Sequence, residues 1–323
     1  MRKLFILSVV PCLFFSCIDI DSIRREDIVD KESLWDYDYR LFQSTSAWEL
    51  AKAVQDGDED RINGILAENA DLVDFQESNH GMTLLMMTIN NQRKATFPYS
   101  MICANQQCGL KLNENQWRAF LCLLKNGASV DITNKYGDTP LMIACSCDYY
   151  DLSYVRKLIE YGANANYIYP DSIVSSFGNA TPLLNAVRCR QLGMVKLLVD
   201  NGAEVNYIDR FDNTALGIAL SNNRYDITLY LLENGADYTI PVSKRYTHTH
   251  LTEKEDSTTL RIEEELRYAT WTLNSESHKS KMKVVDYLYK NNINYKAVPI
   301  PEEVVEYAKM NYPNDWEAYL NYY

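Results

Sequence analysis

The stretch that decides the fold runs Thr181-Pro182-Leu183-Leu184-Asn185-Ala186, then Met194-Val195-Lys196-Leu197-Leu198-Val199, then Asn201-Gly202-Ala203-Glu204-Val205-Asn206. A threonine able to cap a helix precedes a proline in the first helical turn, where no N–H donor is needed. A second helix with apolar residues at helical spacing follows, and a glycine ends it in the left-handed conformation. The closing turn echoes at Asn126-Gly127-Ala128-Ser129-Val130-Asp131, Tyr161-Gly162-Ala163-Asn164-Ala165-Asn166 and Asn234-Gly235-Ala236-Asp237. The opening echoes at Thr139-Pro140-Leu141-Met142-Ile143-Ala144 and Thr214-Ala215-Leu216-Gly217-Ile218-Ala219, and more weakly at Thr83-Leu84-Leu85-Met86-Met87-Thr88. A unit that recurs in this way predicts a solenoid of stacked helix pairs, an architecture that mostly binds other macromolecules.

Spacing locates the departures. Thr181 to Thr214 and Gly202 to Gly235 are each 33 residues, so these two repeats are regular. Gly162 to Gly202 is 40, which places an extended hairpin at 169–177 around Tyr169-Pro170-Asp171-Ser172. Thr83 to Gly127 is 44, which places an insertion at 94–115 between the two helices of that repeat. An earlier copy begins at Leu50-Ala51-Lys52-Ala53-Val54 and closes at Asn69, a residue type that tolerates the left-handed angle. A degenerate last repeat is expected at 251–295, with helices at Ser257–Leu273 and Met282–Lys290 after a polar connection over 240–255. The repeat domain then spans 46–298, and 299–323 form a C-terminal helical cap with the polar outer face a stack needs.

The Thr-Pro-Leu-x-x-Ala openings and the 33-residue period resemble the ankyrin repeat. The resemblance covers about 49–295, most strongly 117–239, and implies an all-α ankyrin-repeat solenoid with hairpin fingers. It also implies that a protein partner docks on the concave side, on finger tips and first helices. Carried onto this sequence, the fingers offer Tyr136, Asp138, Phe177, Asn179, Arg210, Phe211 and Asn213. The first helices offer Ile143, Ser146, Asn185, Arg188, Ile218 and Asn222. Tyr136, Phe177 and Phe211 would either form an aromatic row for binding or pack finger against finger. The family's opening-motif histidine is replaced by Met86, Met142, Leu184 and Gly217. Gly217 inside a helix is expected to cost about 1 kcal/mol relative to alanine.

At the N-terminus, Arg2-Lys3 precede an apolar run, Leu4–Phe15, which is too short to span a membrane. It ends in Ser16-Cys17, similar to the lipobox of bacterial lipoproteins, with Phe14 and Phe15 replacing the first two positions of that pattern. The resemblance implies a signal peptide at 1–16, lipid on Cys17, membrane anchoring through that lipid, and export to the bacterial cell envelope. The alternative is an ordinary signal with an incidental Cys17. Residues 17–45 are expected to be an acidic tether. The net charge of −12 disfavours nucleic acid and favours a protein partner with a basic patch.

Chemistry is sparsely encoded. Cys103 and Cys108 lie five apart and could bridge in an oxidising compartment. Cys147 and Cys189 hold equivalent positions in adjacent repeats. Stacked helices sit about 8–10 Å apart, beyond the roughly 7 Å reach of a disulfide, so two separate thiols are expected there. His248-Thr249-His250 is at most half of a metal site on a polar loop, and neither a metal nor a cofactor is expected. No phosphate loop, nucleophile elbow or HExxH pattern occurs. The expectation is a non-enzymatic, monomeric protein-binding lipoprotein, in one version an inhibitor or immunity protein. The alternative is an envelope scaffold acting through its insertions.

Overall fold

The computed structural model of the protein describes residues 31–34, 36, 38–90, 113–146, 151–169, 180–247 and 256–322. Helices come in pairs along the chain: α1 (Trp48–Asp56) with α2 (Glu59–Glu68), α3 (Leu84–Asn90) with α4 (Glu114–Lys125), and α5 (Pro140–Ala144) with α6 (Leu152–Glu160). α7 (Pro182–Arg188) pairs with α8 (Leu192–Asp200), and α9 (Ala215–Ser221) with α10 (Tyr225–Glu233). The repeated threonines start the first helices as the sequence suggests. The Oγ1 atoms of Thr83, Thr139, Thr181 and Thr214 accept hydrogen bonds from the N–H groups of Met86, Met142, Leu184 and Gly217 at 3.0–3.3 Å. Each cap of this kind contributes about 1 kcal/mol.

Stacking makes two layers. The first helices α3, α5, α7 and α9 touch in chain order, and so do the second helices α6, α8 and α10. Phe120 of α4 meets Tyr154 of α6 with ring centroids 4.5 Å apart, which links those two second helices. A single apolar core runs through the stack from Tyr39 to Tyr295. Its fully buried leucines, such as Leu123, Leu158 and Leu198, would each cost about 2–5 kcal/mol on truncation to alanine.

The closing turns carry a second repeating device. Gly127, Gly162, Gly202 and Gly235 all sit at φ between +86° and +91°. Four residues after the glycine, Asn166 accepts from Glu204 N–H at 2.7 Å and donates to Gly202 O at 2.9 Å. Asn206 repeats both bonds to Asp237 and Gly235, at 2.8 and 2.9 Å. Asp131 keeps the acceptor half, to Asn164 N–H at 3.0 Å. These side chains stitch each turn to the next and explain why the motif continues past Gly-Ala. The two turns without glycine diverge. Asn292 takes the left-handed angle at φ +64°, but Asn69 stays extended at φ −146° and leads into a 3-10 turn over Ala70–Asp74.

The ends correct several expectations. The acidic tether does not extend to residue 45. Tyr39, Leu41 and Phe42 are buried against the first repeat, and Tyr39 donates its hydroxyl hydrogen to Gln116 Oε1 at 2.5 Å. The insertion ends before residue 114, because Asn113 caps α4 and Glu114 and Asn115 are helical. The polar connection over 240–255 contains part of an antiparallel ribbon, β1 (Ser243–Thr247) paired with β2 (Asp256–Leu260). The expected helix at 257–273 shortens to α11 (Ile262–Tyr268), whose start is closed by Arg261 N–H donating to Glu264 Oε2 at 2.7 Å. α12 (Glu276–Lys290) completes this last pair and packs on α10. α13 (Glu302–Asn311) and α14 (Trp316–Tyr322) follow, and buried Tyr319 donates to Trp271 O at 3.1 Å.

Candidate functional site

Three described fingers are each built on one buried polar side chain that sequence reasoning missed: Glu77, Asn134 and Asp209. Asp209 Oδ1 accepts from Phe211 N–H and Asn213 N–H, both at 2.9 Å, and Asn213 Nδ2 also donates to the carboxylate. Asn134 Oδ1 does the same for Tyr136 N–H and Asp138 N–H, both at 2.9 Å. Glu77 serves the preceding finger, accepting from the N–H groups of Asn79, His80 and Met82 at 2.6–2.9 Å. A buried acceptor with several charge-assisted or amide bonds fixes the turn at low conformational freedom. The signal was present in the sequence: Asn134 and Asp209 each stand five residues before a capping threonine.

The hooks hold two aromatic rings out of the stack. Tyr136 is 50 % exposed and Phe211 is 52 % exposed. Tyr136 does more than face solvent: its hydroxyl lies 2.7 Å from His80 Nδ1, with ring centroids 5.9 Å apart. It therefore packs finger against finger at one edge while presenting the rest of the ring. Exposed Arg210 places its guanidinium 5.1 Å from the Phe211 ring centroid, a cation–π contact at the tip. Phe177 and Asn179 lie outside the described residues.

The polar groove residues are braced within the molecule. Arg188 Nη2 meets Asp209 Oδ2 at 2.9 Å, which ties the first helix of one repeat to the finger of the next. Asp138 accepts from Tyr169 OH, the first residue of the extended hairpin. Burial, then the Asp138 charge, pushes the Tyr169 phenol well above its ordinary value, so it stays a donor. Asn185 adjoins this network and packs on Met142. Asn222 accepts from Arg190 Nη2 at 3.2 Å. Ile143 is buried, whereas Ser146 and Ile218 are half-buried. The surface is thus a rigid lattice of inter-repeat bonds with aromatic tips.

The cysteines differ from expectation. Cys189 is disulfide-bonded, with a partner outside the described residues, so it is not the separate thiol that helix spacing predicted. Cys145 is a buried free thiol, and burial raises its pKa. Cys17, Cys103, Cys108, Cys147, His248 and His250 lie outside the described residues. Among the described residues no cluster of three or more His, Cys, Asp or Glu could hold a metal ion. No described helix is long and apolar enough to cross a membrane.

Helix pairs, capped openings and left-handed closing turns define the repeat, and a family model described as ankyrin repeats matches three copies over residues 111–209 and 170–241. Residues 111–241 are ankyrin repeats. The chain is similar to Neurogenic locus notch homolog protein 1 of Xenopus laevis, at 31 % identity over 40 % of this chain and 5 % of that one. It is similar to an ankyrin repeat protein of variola virus, at 34 % identity over 34 % of this chain and 18 % of the other. Human Rabankyrin-5 matches at 28 % identity over 43 % of this chain and 14 % of its own length. The chain therefore spans only a small part of these relatives. Ankyrin stacks are protein-interaction modules, and that is what the shared repeats indicate here.

Proposed function

We propose that this ankyrin-repeat protein is a non-enzymatic binder that engages a protein partner through its finger tips and first helices. The observation that carries the proposal is the pair of half-exposed rings, Tyr136 and Phe211, held on fingers by buried hooks. Rigid aromatic tips lose little freedom on docking and make good binding anchors. The acidic balance of −12 suits a partner with a basic patch. A partner recovered with the wild-type chain should bind the Tyr136→Ala/Phe211→Ala variant at least about tenfold more weakly, a loss of roughly 1.4 kcal/mol or more. Unchanged affinity, with thermal unfolding also unchanged, would remove the fingers from the interface.

The finer reading is an exported lipoprotein held to the cell envelope by lipid on Cys17, acting as an inhibitor or immunity protein. Two features support export: the basic-apolar leader ending at Cys17, and the disulfide at Cys189, since such bonds persist in oxidising compartments. Mass spectrometry of the mature protein from its native membrane should find Cys17 as a lipid-modified N-terminus. An unmodified N-terminus at another residue would exclude the anchor.

A further inference from the structure

A cavity separate from the finger surface lies where the turn between α9 and α10 faces the connection between α11 and α12. It has a volume of about 290 Å³ and is lined by Ser221, Asn223, Tyr225, Glu265, Tyr268 and Trp271, among others. Glu265 is the one charged residue of that lining. Its Oε2 accepts from Ser243 Oγ at 2.6 Å, while Oε1 accepts no hydrogen bond among the described residues. The aromatic wall is fixed. Buried Tyr225 donates to Asn223 Oδ1 at 3.1 Å and accepts from Trp271 Nε1–H at 3.0 Å, with the two rings edge-on at 6.3 Å. Burial pushes the Tyr225 phenol up to about 12, with the Glu265 charge a smaller cause, so the hydroxyl stays neutral.

A carboxylate with a spare oxygen, aromatic walls and no basic side chain repels anions and offers an apolar body little polar compensation. It suits a cation carried on an alkyl stem. We propose that this cavity receives a lysine or arginine side chain of the protein partner, as an anchor separate from the fingers. The proposal rests on the protein-binding reading, and it specifies the partner chemistry of one subsite. Within the last repeat, α11 supplies Glu265 and Tyr268 to this cavity, and the connection to α12 supplies Trp271.

The test uses the full chain and small probes. N-acetyl-lysine methylamide and N-acetyl-arginine methylamide are titrated while the indole N–H of Trp271 is followed by NMR, with the neutral N-acetyl-norleucine methylamide as control. The expected result is a saturable shift with either cationic probe, at least about tenfold weaker in Glu265→Gln, the change corresponding to loss of a charge-assisted bond. Trp271→Phe assigns the resonance, and the unfolding temperature of Glu265→Gln verifies that the fold persists. No saturable shift, equal response to the norleucine probe, or full retention in Glu265→Gln would each overturn the proposal. The Tyr136→Ala/Phe211→Ala variant should bind the probes as the wild type does. The subsite and the finger surface can therefore fail independently.

Discussion

Gly217→Ala is expected to destabilise the protein by about 2 kcal/mol or more, the reverse of what helix propensity predicts. Alanine in place of a helical glycine normally gains about 1 kcal/mol. Here the backbone leaves no room. A methyl at Gly217 would collide with the carbonyl oxygen of Val242, lie 3.2 Å from that carbonyl carbon, and lie 3.3 Å from Thr214 Oγ1. Val242 is the residue that enters the ribbon, with its N–H bonded to Leu260 O at 2.8 Å. The collision is with main chain, so a side-chain rotation cannot relieve it. Relief requires moving the β1–β2 ribbon away from α9, which uncovers Val242 and loosens α11. Thermal unfolding gives the sign, and amide exchange over 240–268 locates the damage. Gly64→Ala is the matched control. That glycine lies on the exposed face of α2 with nothing within 4 Å of an added methyl, and it should gain about 1 kcal/mol. A stabilised Gly217→Ala would disprove the packing argument.

Lys281→Met is expected to stabilise the folded state near neutral pH by about 2–4 kcal/mol and to flatten its alkaline pH dependence. Lys281 is 1 % exposed within the last repeat. Its Nζ donates to Ala269 O at 3.1 Å and lies 5.3 Å from the Tyr295 ring centroid, and the Arg267 guanidinium is 4.2 Å from the same ring. Burial first, then the positive charge of Arg267, lowers the Lys281 pKa to about 7 from 10.5. The folded state therefore binds the Lys281 proton less tightly than the unfolded state does. Between about pH 7 and 10.5 the unfolded chain carries the extra proton, so stability rises with pH across that window and is level on either side of it. A shift of this size corresponds to roughly 5 kcal/mol as an upper figure, and methionine forfeits about 1 kcal/mol by orphaning the Ala269 carbonyl. Urea unfolding at pH 6.5 and 9.5 should show a clear rise for the wild type and little for Lys281→Met. His278, on the same helix, is pushed below its ordinary value by burial and then by Lys281. It adds a separate loss on the acid side, below about its unfolded value of 6.5. Equal pH slopes for wild type and variant would show that Lys281 is not the group responsible.

Much of the solenoid was legible because its determinants are local. A threonine three residues before an N–H, a proline that needs no donor, and a glycine at a left-handed position act within a single turn. Those interactions read the same in any context, and the caps at Thr139, Thr181 and Thr214 confirm them. The finger hooks Asn134 and Asp209 are equally local, each standing five residues before its threonine. Asn69 departs from the expected left-handed turn because that angle is only an option for asparagine, and the following 3-10 turn ends the helix another way.

Sequence alone determined the repeat, its period and the places where the period breaks, since each depends on spacing along one chain. Tertiary structure decided everything that depends on which repeats face each other. It turned Gly217 from a weak helix residue into the only residue type that fits beneath the Val242 carbonyl. It committed Arg188 to Asp209 and Asp138 to Tyr169, pairs 21 and 31 residues apart, so that groove charges became braces. It paired Ser243–Thr247 with Asp256–Leu260 in a ribbon, and it walled one cavity with Tyr225 of α10, Glu265 of α11 and Trp271 of the connection to α12. Such contacts are set by close packing between distant segments, where ångström-scale fit outweighs any preference a residue carries by itself.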